Sequence, residues 1–146
     1  MTHRPFRLRA IRKATMKTIL FVEDDPIIIQ VYRGPLKNAG FQVEVAEDGL
    51  LAMRTLQHHC PDLVLLDVLM PKVDGTYVLK FIRSRPELKN TKVVILSSAT
   101  LADIAKDVLA QNPDRVFLKA QSTPKELVKV VIELLGGNEA AAQEIK

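Results

Sequence analysis

Residues 63–67 read Leu-Val-Leu-Leu-Asp, four apolar side chains in unbroken succession closed by one acid. A strand with one face in water alternates apolar and polar residues. An unbroken run therefore belongs to a strand covered on both faces, the situation of a parallel sheet between two helical layers. VVIL (93–96) and VFL (116–118) repeat the pattern and TILFV (18–22) approaches it, whereas FQVEV (41–45) alternates and reads as a half-exposed edge strand. Longer segments of helical period separate these runs. Asp25-Pro26 supplies an N-cap and a first-turn proline. Leu101, Ile104, Ala105, Val108 and Leu109 make one apolar stripe. Thr123-Pro124-Lys125-Glu126 is a capping box ahead of a second stripe, Leu127, Val130, Val131, Leu134 and Leu135. Gly34-Pro35 falls inside the first helix, where the ring removes a hydrogen bond and predicts a kink. Five strand-helix units in succession predict an α/β fold, a doubly wound five-stranded parallel sheet with five helices.

Outward from this core, 146 residues with 47% hydrophobic content suit one domain. The single cysteine, Cys60, cannot form an internal disulfide, and no run of about 18 apolar residues is present, so the expectation is a soluble, cytoplasmic protein that does not enter a membrane. The net charge of +4 is local. Arg4, Arg7, Arg9, Arg12 and Lys13 lie in the first 15 residues, where there is no acid, and their removal leaves −1 for 16–146. Residues 1–16 thus read as a basic, disordered extension without the apolar stretch of a secretory signal, 17–136 as the domain and 137–146 as a frayed tail after Gly136-Gly137. Aromatics are few and not interleaved with basic residues, which argues against nucleic-acid binding by the domain itself.

In an open parallel sheet ligands bind beyond the carboxyl ends of the strands. The residues standing there are Glu23-Asp24-Asp25, Asp67, Ser97-Ser98 and Lys119. Asp25 before Pro26 reads as a helix cap. If the strands lie side by side, Glu23, Asp24 and Asp67 gather at one edge, where three carboxylates repel unless they are protonated or bridged by a cation. An all-oxygen site with few protein ligands suits Mg²⁺. Lys119 and Ser97 then offer a phosphoryl group a balancing charge and a hydrogen bond, and a carboxylate can act as its acceptor. His58-His59-Cys60 carries metal-ligating types, but they are adjacent at a helix end with no second cluster. No GxxxxGK, GxGxxG or HExxH motif occurs.

ILFVEDDP (19–26), LVLLDVLMPKVDG (63–75), VVILSSA (93–99) and FLK (117–119) together resemble the receiver domain of bacterial two-component response regulators, in its stand-alone form, over about residues 17–136. The resemblance implies a flavodoxin-like sheet of order 2-1-3-4-5. It implies Asp67 as phosphoacceptor, Mg²⁺ held by Glu23, Asp24, Asp67 and the backbone carbonyl of Leu69, Ser97 as switch hydroxyl and Lys119 as phosphoryl counterion. Met70-Pro71 and Gly75 match the loop after the acceptor. The implied partners are a sensor histidine kinase or histidine phosphotransfer protein, an unidentified downstream protein and, as an option, a second copy met through the last two helices. Such a protein is a phosphoacceptor switch rather than an enzyme, signalling by protein contact through the fourth helix, fifth strand and fifth helix.

Two positions depart from the family. Ala120 stands where proline usually follows the lysine, and Val116 where an aromatic ring commonly swings with the switch hydroxyl; Phe117 points to the opposite face of the strand and is no substitute. These departures favour a second reading, a degenerate receiver serving as a phosphorylation-independent scaffold, which the acids and Lys119 oppose. A third, a flavodoxin-like enzyme or nucleotide binder, needs a glycine loop after the first strand, where EDDP stands instead. Leu69 and Ala99 occupy positions where fast-hydrolysing receivers carry polar side chains, so slow loss of the phosphoryl group is expected.

Overall fold

Apolar runs without alternation need cover on both faces, and those at 18–22, 63–66 and 93–96 stand in the interior of the sheet, whereas VFL (116–118) lies in the second edge strand, where only Phe117 is fully buried. A computed structural model describes residues 16–68, 75–98, 106–119 and 122–136. Strands β1 (Thr18–Val22), β2 (Gln42–Ala46), β3 (Leu63–Asp67), β4 (Lys92–Ser97) and β5 (Arg115–Leu118) alternate with helices α1 (Pro26–Asn38), α2 (Gly49–Leu56), α3 (Gly75–Ser84), α4 (Lys106–Ala110) and α5 (Pro124–Leu135), with a 3-10 turn at Pro86–Leu88. All four pairings are parallel and the order is β2-β1-β3-β4-β5, as expected. Every residue of β3 is buried, whereas β2, at the edge, alternates with Gln42 and Glu44 exposed and Val43 buried.

Side chains of successive strand residues leave opposite faces and feed two cores. Ile19, Phe21, Leu63, Leu65, Val94, Leu96 and Phe117 meet Tyr32 and Leu36 of α1 and Leu127, Val131 and Ile132 of α5. On the other face Leu20, Val22, Val64, Leu66, Val93 and Ile95 meet α2, α3 and Val108 of α4. Phe117 and Val116 thus serve opposite layers, as their alternation requires.

The helix signals act locally. Asp25 accepts from the Ile27 N–H at 2.9 Å and Thr123 from Glu126 at 3.2 Å, each ahead of a first-turn proline. Gly136, at φ 62°, ends α5 with its N–H on the Ile132 carbonyl at 2.8 Å. α1 continues through Pro35, which has no N–H to offer the carbonyl of Val31 four residues back. Two stripes need amendment. Leu109 is exposed beside the buried Val108, because neighbours on a helix lie about 100° apart. In α5 the buried set is Leu127, Val128, Val131 and Ile132, and Val130, Leu134 and Leu135 are only partly covered because the helix is turned to face the sheet between the two rows. Leu101, Ile104 and Ala105 and the two tails, 1–15 and 137–146, lie outside the described residues.

Opposite the carboxyl ends, Arg83 at the end of α3 donates to the carbonyls of Gln111 (3.3 Å), Thr91 (3.3 Å) and Asn112 (2.9 Å) and to Asp114 Oδ2 (3.1 Å). Asp114 Oδ2 also accepts from the Val93 N–H at 2.7 Å, so one guanidinium joins α3, β4 and the turn into β5.

Candidate functional site

Register brings the strand ends level. Val22 pairs with Ala46 and with Leu66, so Glu23 follows β1 at the height of Asp67, the last residue of β3. Asp67 pairs with Leu96 and Ser97 with Leu118, which sets Ser97 one step and Lys119 two steps further along the same edge. Ligand oxygens of Glu23, Asp24 and Asp67 all lie within 4.8 Å of one another, the first and last buried and Asp24 exposed. The expected gathering of carboxylates is therefore present in the fold.

Lys119 completes the cluster. Its Nζ lies 2.7 Å from Glu23 Oε1 and 3.6 Å from Asp67 Oδ2. The other Glu23 oxygen accepts from the N–H groups of Asp24 at 3.2 Å and Asp25 at 3.3 Å, while the Glu23 N–H donates to the Ala46 carbonyl at 3.0 Å. Burial pushes the Glu23 carboxyl from an ordinary 4.5 up to about 7; the Lys119 hydrogen bond opposes the rise and the nearby Asp67 charge assists it. Burial alone would depress the Lys119 ammonium, but the hydrogen bond to Glu23 and the charges of Asp67 and Glu23 carry it above its usual value. Lys119 therefore stays protonated.

Two acids buried beside one ammonium leave an excess of negative charge that a divalent cation would offset, and the donor set is all oxygen, as Mg²⁺ prefers. Gly75 opens α3 against the back of this site. A Cβ on it would stand 2.6 Å from Val68 Cα and 2.8 Å from the Asp67 carbonyl oxygen. Only a residue without a side chain permits that approach.

Of the residues singled out in the sequence, Glu23, Asp24, Asp67 and Lys119 converge, Ser97 is buried at the end of β4, and Asp25 caps α1. Leu69, Met70-Pro71, Ala99 and Ala120 lie outside the described residues. His59 and Cys60 line a cavity of about 270 Å³ with Thr18, Gln42 and Pro61, at the amino ends of the strands and away from the acids. Among the described residues the acids form the one group arranged to hold a metal. Sequence reasoning missed Tyr32, whose buried ring meets Phe117 edge-on at 6.5 Å and 89°. Burial raises its hydroxyl above the ordinary phenol value, with the Lys119 charge pulling the other way. Its helical spacing from Ile28, Ile29 and Leu36 was the available signal.

Comparison with known proteins agrees with this geometry. The model of the response regulator receiver domain matches residues 19–132. Response regulator Rre1 of Synechocystis sp. is 30% identical over 126 residues, covering 86% of this chain and 54% of its own length, so the chain spans about half of that relative. The chemotaxis response regulator CheY4 of Vibrio cholerae superposes with a TM-score of 0.76 at 29% identity, over 83% of this chain and all of that one. The response regulator TrrA of Thermotoga maritima, solved in complex with Mg²⁺ and BeF, gives 0.72 at 30% identity, over 82% of this chain and all of that one. Among the described residues no helix is long and apolar enough to cross a membrane.

Proposed function

Because the chain belongs to the response regulator receiver domain family, we propose that it is a phosphorylation switch in which Asp67 takes a phosphoryl group from a phosphohistidine of a sensor kinase or phosphotransfer protein in the cytoplasm. The observation that carries the proposal is the approach of Lys119 to both buried acids, at 2.7 Å and 3.6 Å, beside a three-carboxylate cluster.

Asp67 is buried, so its carboxylate meets the donor with little competition from water. One of its oxygens forms the new bond to phosphorus as the donor's P–N bond breaks, and the imidazole leaves with the electron pair. Lys119 holds a full positive charge beside the oxygens on which negative charge accumulates, and the Ser97 hydroxyl donates one neutral hydrogen bond there. Glu23, Asp24 and Asp67 would hold Mg²⁺ with the backbone carbonyl of Leu69. When bound, the ion supplies neutralising charge between the acids and the incoming phosphoryl group. The signal leaves by a protein contact through α4, β5 and α5, with a smaller movement than is usual in the family because Val116 supplies no ring.

The test is incubation with Mg²⁺ and a small-molecule phosphodonor, read by intact mass. One phosphoryl group is expected on the wild type and none on Asp67→Asn or in excess chelator. A mass increase that survives either change refutes the assignment, and a wild type that takes up nothing points to the scaffold reading favoured by Val116.

A further inference from the structure

β2 forms one edge of the sheet, and its inner side is fully engaged with β1. The Gln42 N–H donates to the Lys17 carbonyl, and the Ala46 carbonyl accepts from the Glu23 N–H. Backbone groups alternate in direction along a strand, so the N–H and carbonyl groups of Val43 and Val45 turn outward, where no strand of the described residues meets them. The two faces beside this open edge differ. Val43 and Val45 belong to the layer of α1, and beside Val45 a cavity of about 600 Å³ is lined by Ile29, Gly34, Arg33 and Lys37. Gln42 and Glu44 point to the other layer, are exposed, and line the cavity of about 270 Å³ with Thr18 and Thr55. The chain outside the described residues leads straight to this edge. Lys17, whose carbonyl takes the Gln42 N–H, stands at the foot of β2, and residues 1–15 come shortly before it. Within them Phe6-Arg7-Leu8-Arg9-Ala10 alternates apolar and basic residues with the period of a strand.

We propose that residues 5–10 add an antiparallel strand to the open edge of β2, with Leu8 opposite Val43, Arg7 opposite Glu44 and Phe6 opposite Val45. The pairing does not depend on the chemistry of the acids. Chain length permits it, because the added strand stands about 10 Å from β1 and residues 11–16 reach about 20 Å when extended, enough to pass beneath β2. A chain that descends along β2 and then rises as β1 runs antiparallel to both. Charge decides which row faces which layer. Arg7 and Arg9 meet Glu44 on one face, whereas Arg33 and Lys37 would repel them on the other, where Phe6 and Leu8 extend the apolar row of Val43 and Val45. Proline agrees with the same alternation. Pro5 falls opposite Ala46, whose backbone faces β1, so the N–H that proline lacks lies on the solvent side, where an edge strand admits it. The basic extension thereby covers an edge that is otherwise a template for another chain.

Amide hydrogen exchange of the full chain, read residue by residue by NMR, tests the pairing. The N–H groups of Phe6, Leu8, Val43 and Val45 should exchange slowly. Leu8→Pro removes a ladder donor at a position outside the domain, and should speed exchange at Val43 and Val45 roughly tenfold or more while the Glu44 N–H, which faces β1, is unchanged. A nuclear Overhauser contact between the Hα atoms of Arg7 and Glu44, closest across an antiparallel pair that exchanges no hydrogen bonds, fixes the register. Charge reversal gives an independent readout. Arg7→Glu should speed the two valine amides about threefold, and Arg7→Glu combined with Glu44→Lys should restore them. Valine amides that exchange as fast in the wild type as in Leu8→Pro overturn the proposal, as does a double variant no slower than Arg7→Glu. Protection of Val43 and Val45 that grows with protein concentration while Phe6 and Leu8 stay unprotected assigns the edge to a second copy, and overturns it equally.

Discussion

Replacing Gly75 with alanine asks how closely α3 must approach the strand that carries Asp67. The added Cβ would lie 2.6 Å from Val68 Cα, 2.8 Å from the Asp67 carbonyl oxygen and 3.2 Å from Val68 Cγ1. Two of these three neighbours are backbone atoms, which no rotamer change can withdraw. Carbon atoms settle about 3.5–4.0 Å apart, so α3 and the end of β3 must separate by about 1 Å. Overpacking of this kind costs about 1–3 kcal/mol. For a domain of this size that corresponds to a fall in Tm of roughly 3–15 °C. The same movement shifts the backbone of Asp67 relative to Glu23, Asp24 and Lys119, and a displacement of about 1 Å at a reacting group can cost ~100-fold in rate. Thermal unfolding by circular dichroism and initial rates of phosphoryl uptake from a small-molecule donor in saturating Mg²⁺ measure the two effects. Gly75→Ala should melt earlier and react roughly 10–100 times more slowly. A variant that unfolds at the wild-type temperature and reacts at the wild-type rate would show that the gap closes by some relaxation the packing does not suggest, and the reasoning fails.

Arg83→Ala removes four hydrogen bonds far from the acids and should lower stability by about 1–3 kcal/mol in urea unfolding with phosphoryl uptake unchanged; Arg83→Lys should recover little, because an ammonium cannot reach three carbonyls and a carboxylate at once. Glu23 makes Mg²⁺ binding depend on pH. Its folded value, near 7, lies above its ordinary 4.5, so the metal-free domain gains stability from the protonated group below 4.5 and loses that gain as pH rises through about 7. Mg²⁺ needs the carboxylate, so its affinity should climb over the same range, with proton release per ion bound visible in calorimetry in two buffers; a flat affinity across neutrality contradicts this. Loss of the phosphoryl group should be slow, since neither Leu69 nor Ala99 can hold a water through its side chain. Wild type decaying as fast as Leu69→Asn and Ala99→Glu at equal Mg²⁺ would dismiss that account.

The strands were legible because burial on two faces leaves a mark in one dimension. The run at 63–66 became a fully buried strand, and the alternation at 41–45 became the exposed edge, shifted by one residue since Phe41 precedes the ladder. Convergence of Glu23, Asp24 and Asp67 followed from the same reading, because strand ends in a parallel sheet lie level. The division of Lys119 between two acids did not follow. It depends on one methylene and on two backbone N–H groups, across 96 positions of sequence. The Arg83–Asp114 clasp was hidden for a related reason. A basic residue in the last turn of a helix already has a local role against the helix dipole, so nothing marks it as the partner of an acid 31 residues on. The α5 stripe was placed one row aside because Val130 and Ile132 are equally apolar, and only the neighbouring α1 and sheet decide which faces inward.

The edge-on contact of Tyr32 with Phe117 makes the molecule its own spectroscopic probe. There is no tryptophan to dominate absorption or emission, and the two tyrosines stand in opposite circumstances. Tyr32 is buried in the asymmetric surroundings of a neighbouring ring, within the electric field of Lys119 and Glu23. Tyr77, the third residue of α3, is 66% exposed. Near-ultraviolet circular dichroism is consequently weighted toward Tyr32, whereas a collisional quencher in solution reaches Tyr77 first. Emission that survives the quencher reports on the buried Tyr32 ring, which feels the charges of Lys119 and Glu23 and so allows events at the acids to be followed in unlabelled protein.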